Sequence, residues 1–275
     1  MRGSHLGQGL AHGIIVLLIL VLLFPVVWMV STSFKSPTDL FTSGLGLLPA
    51  RPVLSNYVTA WSKYPLPQWF VNSLVTALGI TAGQLITSAL AAYGFTRFAF
   101  PGRRVCFLLV LGAMIVPFQV TMIPNYILVA NLGVLNTWWA VILPNLHSAF
   151  GIFLLRQYFL GLPQELFDAA NLDGAGVWQT FLRVVVPLSR APMGALAVYL
   201  FLNAWNAYFW PLLVLSEPTA QTLPIGLRSF LDAELGIEWG QLMAAATLAS
   251  IPALAAFFTA QKQIISSFVM TGMKG

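Results

Sequence analysis

The chain has 275 residues, 58% of them hydrophobic and only 8% charged, with 13 Lys and Arg against 8 Asp and Glu for a formal net charge of +5. Soluble domains carry roughly 25% charged residues, so a water-soluble globule is excluded, and the length leaves room for several membrane spans but not for a large soluble domain besides. The excess of base is explained by membrane topology rather than by nucleic acid, because Lys and Arg hold loops on the cytoplasmic side.

The opening MRGSH (1–5) resembles the start of an expression tag and is given no structural weight. The first apolar run, 14–33, follows Arg2, His5 and His12 as a signal peptide would. It is too long for a signal h-region and no small-x-small cleavage site follows, so a retained anchor is predicted. A hydrocarbon core of ~30 Å needs about 20 apolar residues per helix. Further runs at 71–93, 104–128, 137–159, 191–215 and 240–262 complete six predicted spans, an all-α polytopic protein with one membrane domain over 1–275. The runs are far longer than a barrel strand and do not alternate, which argues against a β-barrel. Proline interrupts several, at Pro25, Pro117, Pro124, Pro144, Pro211 and Pro252. A membrane bundle tolerates such kinks because neighbouring helices satisfy the freed carbonyls.

With the N-terminus inside, the inside set of cations is Arg2, Arg97, Arg103, Arg104, Arg156, Arg183, Arg190, Lys262 and Lys274. The outside set is Lys35, Arg51, Lys63 and Arg228, so nine stand against four. The positive-inside rule therefore places both termini and the segment 160–190 in the cytoplasm. The external segment 34–70 carries Tyr57, Trp61, Tyr64 and Trp69 among five prolines, and reads either as interfacial anchoring or as a cap over an external vestibule.

GITAG at 79–83 is a GxxxG, read as close helix packing within the chain ahead of a seam between subunits. Cys106 is the only cysteine, which rules out an intramolecular disulfide, and is expected to be a buried, inert thiol. His5, His12 and His147 are scattered and lack the spacing of a metal site. Polar residues at membrane depth are costly unless they face protein or water; here they are Gln84, Gln119, Asn145, His147, Asn203 and Asn206. No Asp, Glu, Lys or Arg lies mid-span, which argues against a carrier driven by an intramembrane carboxylate relay. Asn203, Asn206 and Tyr208 form the densest cluster, and the two amides share a helix face. They suit a translocation path for a neutral hydroxyl-rich solute, and interhelical hydrogen bonding explains them equally well.

Three of the 8 acidic residues, Glu165, Asp168 and Asp173, fall in one polar island between two apolar runs. Pro163 suits the first turn of a helix, and Glu165 and Asp168 lie where the macrodipole favours acids. Asp173-Gly174 is a turn signal. A second helix then carries Trp178, Phe181 and Leu182 at i, i+3, i+4, one apolar face ending near Pro187. The island reads as a docking hairpin for a partner or as a solvated connecting loop.

The run ELFDAANLDGA at 165–175, with Trp178, Phe181, Val184 and Pro187-Leu188 after it, resembles the EAA loop of ABC importer permeases. PFQVTMIP at 117–124, LGVLNTW at 132–138, Ala204-Trp205-Asn206 with Trp210-Pro211-Leu212, and GMKG at 272–275 are similar to motifs of the carbohydrate-importer branch, the maltose-type second permease in particular. The resemblance implies the type I importer permease fold, with a coupling helix that sits in a cleft of a cytoplasmic ATPase. Asp168 takes the place of the motif's leading Glu, Ala169 and Ala170 come next, and Asp173-Gly174 and Ala175 complete the docking set with Glu165. It further implies a second homologous permease, an ABC ATPase dimer, an extracytoplasmic solute-binding protein and a sugar-like solute, in a prokaryotic inner membrane. No GxxxxGK[ST] occurs, so ATP and Mg are expected on the partner ATPase, with no cofactor and no catalysis in this chain. A stand-alone secondary carrier, an importer of a non-sugar solute and a non-transporting scaffold are the alternatives.

Overall fold

In the computed structural model the described residues are 3–42, 46–231 and 237–272, and they contain helices and turns but no strand. The C-terminal motif at 272–275 lies outside them except for Gly272, as do Arg2, Lys274, Asp232 and Glu234. The helices are α1 (Gly3–Ser33), α2 (Pro37–Thr42), α3 (Ser55–Lys63), α4 (Leu66–Arg97), α5 (Arg103–Ala113), α6 (Phe118–Asn131), α7 (Trp138–Ile142), α8 (Ala149–Leu160), α9 (Gln164–Leu172), α10 (Val177–Thr180), α11 (Val186–Leu188), α12 (Arg190–Trp205), α13 (Phe209–Val214), α14 (Leu223–Gly226) and α15 (Trp239–Gly272). Three are long and apolar enough to cross a bilayer unbroken, at 11–33, 66–97 and 239–259, and the number rises to six when each bent pair counts as one span.

The bent pairs cover 103–131, 138–160 and 177–205, so the predicted spans 104–128 and 137–159 are not continuous helices, the third pair begins inside the predicted loop 160–190, and the predicted span 191–215 is itself broken. The first divides into α5 and α6, bent by 98°. Pro117 stands at the break with ψ 137°, where it lacks an N–H for the ladder and pushes the preceding residue out of helical geometry. The second divides at a 3₁₀ turn, Leu143–Asn145, that contains Pro144, with a bend of 46° before α8. The last runs as α12, stops at Asn206, and resumes as α13 ahead of Pro211. Pro25, Pro124 and Pro252 stay inside helices.

The chain forms two compact units. One comprises 1–67 and 226–251. Its α1 exposes its apolar side chains from Ile14 to Val27, the mark of a helix faced by lipid. The segment after α1 is tied down by polar contacts. Asn56, buried on α3, donates its Nδ2 to Ser33 O at 2.9 Å and to Lys35 O at 2.8 Å. Buried Lys35 donates to Gly46 O at 2.5 Å, and Asp39 accepts from Ala50 N at 2.9 Å. Gly240 is needed where α15 begins, since a Cβ there would stand 2.7 Å from the Asn56 amide. Tyr57 packs on Phe34 and Tyr64 on Phe230. Trp61 is exposed, as an interfacial anchor would be.

The other unit comprises 68–225 and 252–275. Its GxxxG packs within the chain. A Cβ at Gly79 would meet Ile142 Cδ1 at 2.8 Å, and one at Gly83 would overlap Leu146 Cδ2, so α4 lies directly against α7 and the turn after it. Trp69 is buried, with its indole N–H on Pro218 O at 2.7 Å, and so is not an interfacial anchor. The turn at 132–138 is fixed by Gly133 and Asn136, both with positive φ. The Asn136 oxygen accepts from Ser216 N at 2.7 Å and Glu217 N at 3.0 Å. Cys106 is exposed rather than buried, on a helix, α5, that has no buried residue.

Candidate functional site: an acidic helix and an amide-lined cavity

Both candidate sites belong to the second unit. The acidic one is α9, which begins after Pro163 (φ −56°, ψ 133°) with Glu165 in its first turn. Phe167 and Ala170, three apart, are its buried residues, and Phe167 enters a core of Ala89, Tyr93, Leu155, Phe159 and Phe181. Arg97, in the last turn of α4, lays its guanidinium 3.5 Å from the centre of the Phe167 ring. It also donates to Gln164 Oε1 at 3.0 Å, and Gln164 Nε2 donates to Asp168 Oδ1 at 2.9 Å. The glutamine amide thus bridges a cation and a carboxylate, fixing where Asp168 stands on the exposed face.

The helix ends in a Schellman motif. Ala175 N bonds to Ala170 O at 2.9 Å and Gly174 N to Asn171 O at 3.0 Å, with Gly174 at φ +73°. Glu165, Asp168, Ala169, Asp173 and Gly174 are exposed, Ala175 is half-buried, and Ala170 is turned into the chain's own packing. Among the described residues the one ion pair, Lys63 with Glu238, lies in the other unit, so these three acids are not neutralised within the chain.

The segment after the turn departs from the predicted regular helix. After α10 the backbone runs as a π-helix over Phe181–Val185, then as α11. Phe181 is buried while Trp178 and Leu182 are 65% and 60% exposed, and all three still share one apolar face, lining a groove with Leu85, Ile86 and Ala89. The wider turn rotates the residues after Thr180 away from an α-helical register. Tyr93 holds this segment through Val177 O at 3.2 Å and a ring contact of 5.0 Å with Phe181. Tyr158 holds its far end through Leu188 O at 2.9 Å. The chain then bends by 79° into α12.

The second site is a cavity of about 280 Å³ at the break between α12 and α13. Gln84, Asn145, Asn203 and Tyr208 supply its polar wall, with Phe118 and Trp210 among its aromatic lining. Non-helical backbone at membrane depth survives only where protein buries it or a cavity faces it, and Ala207 and Tyr208 of the break line this cavity. Asn203 donates to Tyr199 O at 2.7 Å and Asn206 to Leu202 O at 2.7 Å, each within its own helix, so neither makes the interhelical bond of the competing reading. Asn206 does not line the cavity. The sequence marks Gln84 and Asn145 as polar groups at depth, but only the fold brings them to Asn203. Arg97, Gln164 and Phe167 join the site only in the structure; the signal for them in the sequence is Phe167 and Ala170 at i, i+3 against the acids. Among the described residues no group of three or more His, Cys, Asp or Glu converges on a metal position.

Known proteins are similar to this chain in sequence and in fold. The chain is 36% identical over 262 residues to the arabinooligosaccharides transport system permease protein AraQ of Bacillus subtilis, covering 94% of this chain and 93% of that one. It is 32% identical over 265 residues to the sn-glycerol-3-phosphate transport system permease protein UgpE of Yersinia enterocolitica, covering 94% of each. Its fold matches a chain of a bacterial ABC transporter involved in the import of the acidic polysaccharide alginate, with a TM-score of 0.86 and 21% identity over 95% of this chain and 98% of that one. Residues 79–268 match the model of a family described as the binding-protein-dependent transport system inner membrane component. The chain belongs to that family, and is a multi-pass permease subunit of an ABC importer.

Proposed function

We propose that this chain forms half of the translocation path for a sugar or related polyol, and that α9 is the coupling helix through which a cytoplasmic ABC ATPase dimer drives it. The observation that carries the reading is the division of α9 into two faces. Phe167 and Ala170 anchor it inward, Glu165, Asp168, Ala169, Asp173 and Gly174 stand outward, and the three acids have no ion-pair partner among the described residues. Such a helix is held rigidly enough to move the chain when gripped. Arg97 ties α9 to α4, and Tyr93 and Tyr158 tie the segment after it, at Val177 and Leu188, to α4 and α8, so the motion passes into those helices.

A second homologous permease completes the path, and an extracytoplasmic binding protein delivers the solute. Both termini and α9 face the cytoplasm, in keeping with the nine-to-four division of Lys and Arg. ATP and Mg bind to the ATPase, and this chain holds no cofactor of its own. The sugar class is supported by the arabinooligosaccharide permease among the relatives.

Ala169→Trp tests docking, because Ala169 is exposed and bulk there leaves the inward face of α9 untouched. Loss of ATPase co-purification with an unchanged melting profile of the chain is expected. Full co-purification and normal ATP-driven uptake in this variant would sink the reading, as would uptake by this chain alone in vesicles without ATP.

A further inference from the structure

We infer that the cavity at the α12–α13 break is a solute subsite selective for uncharged, hydroxyl-rich sugars, so that this chain itself screens against phosphorylated and uronate solutes. The inference rests on the importer reading above and adds a ligand class to it.

The polar wall of the cavity keeps hydrogen-bonding capacity unused. Asn145 donates one N–H to Val141 O at 2.9 Å and Asn203 one to Tyr199 O at 2.7 Å. An amide carries two donors and a two-lone-pair acceptor, so each keeps an oxygen and a second N–H for something else. The Gln84 side chain makes no hydrogen bond among the described residues, and Tyr208 adds a hydroxyl. These groups are donors and acceptors at once, as sugar hydroxyls are. The Phe118 and Trp210 rings, 5.9 Å apart and edge to face, give apolar surface for the C–H face of a sugar ring.

Charge decides against the anionic solutes. Among the described residues no Lys, Arg or His lines the cavity, and no Asp or Glu does either. A phosphate or carboxylate brought here would lose its hydration without a cation to replace it, and such burial is costly. A neutral sugar exchanges water hydrogen bonds for amide ones at little net cost. The volume of about 280 Å³ falls just below that of small-molecule sites, roughly 300–1,000 Å³, as suits a subsite for part of a larger sugar.

The test is saturation-transfer NMR on the purified complex of both permeases and the ATPase, without binding protein. The probes are arabinotriose, sn-glycerol 3-phosphate and an alginate trisaccharide. Transfer to arabinotriose alone is expected. The Asn145→Leu/Asn203→Leu variant should reduce it by roughly tenfold or more, since a site that hydrogen-bonds hydroxyls discriminates strongly once those groups go. Gln84→Leu is the second variant, expected to weaken binding without removing any bond inside the chain. ATPase stimulation by loaded binding protein is measured on the parent complex as the separate check on the importer reading. Equal or stronger transfer to either anionic probe, transfer to none of the three, or arabinotriose binding unchanged in both variants overturns the inference and leaves the importer reading standing. Absence of stimulation in the parent complex overturns the importer reading, whatever the probes do.

Discussion

At α9 the apolar groups turn inward and the charged ones outward, while at the break between α12 and α13 the amides turn toward a cavity within the chain. The first arrangement spends its internal bonds on position. Arg97, Gln164 and Asp168 are linked in series, and Tyr93 and Tyr158 hold the segment from Val177 to Leu188. The second keeps bonds in reserve, because Asn145 and Asn203 use one N–H each and Gln84 none. A surface gripped by another protein needs a fixed shape, since mobility there would absorb the force applied. A surface passed by a solute needs groups that can bind and let go. The same few side-chain types serve both ends, and whether their partners lie inside the chain separates the two.

The largest effect that breaks this comparison should come from Phe167→Ala. Truncating a fully buried phenylalanine costs about 3 kcal/mol or more, and here it also removes the ring beneath the Arg97 guanidinium. The helix would lose its anchor while keeping every exposed acid. We expect ATPase co-purification to fall severely and the melting temperature of the solubilised chain to drop, while arabinotriose binding to the cavity persists. Loss of docking and of cavity binding together would show that the two regions fold as one piece and that the contrast between them is superficial.

Much of this is legible in the residues, and the parts that are not share a cause. The island at 163–175 stands out by polarity, and its helix, its Gly174 turn and the outward direction of Glu165, Asp168 and Asp173 are as the capping and dipole rules lead one to expect. Ala170 belongs to the same motif, yet it faces inward; its i, i+3 spacing from Phe167 puts the two on one face, but only the fold shows that this face meets the chain's own core while Ala169 stays outward. The proline positions mark where spans are weakened. Composition cannot say that Pro117 turns the chain by 98° while Pro25, Pro124 and Pro252 stay in continuous helices, because the surrounding packing decides whether a kink opens into a break. Cys106 misleads for a related reason, since apolarity in a membrane chain points as readily to lipid as to core. The cavity is the most tertiary feature of all: Gln84, Asn145 and Asn203 come from α4, the turn after α7, and α12.

A smaller effect is expected from Arg97→Met, which keeps a long apolar stem over Phe167 but removes the charge and the bond to Gln164. A cation–π contact of this exposure contributes about 0.5–1 kcal/mol, so α9 should remain docked and the chain folded. What should change is the setting of Asp168, whose partner Gln164 loses its own tether. We expect ATPase affinity for the permease to weaken by several-fold in a titration. Arg97→Lys, which keeps the charge but not the planar fork, should recover only part of it.

The smallest effect belongs to a contact that serves neither kind of site, the exposed pair of Lys63 with Glu238 at 2.5 Å in the other unit. The hydrogen bond to Glu238 raises the Lys63 pKa above its ordinary value, with the charge of Glu238 adding to it. A raised lysine contributes stability below its unfolded pKa of 10.5 and loses it as pH rises through the folded value. The small stabilisation from this pair should therefore stay constant from neutral pH to about 9, and melting of the parent should fall toward the Glu238→Gln variant only at pH well above 10. Exposed pairs of this kind contribute little and are screened by salt, so raising the ionic strength should narrow the gap between parent and variant at neutral pH. Neither α9 docking nor arabinotriose binding should track this titration, because Lys63 and Glu238 belong to the unit that carries neither site. A docking or binding curve that moved with the lysine would mean that the external segment acts on them, and the contrast would have to be redrawn to include it.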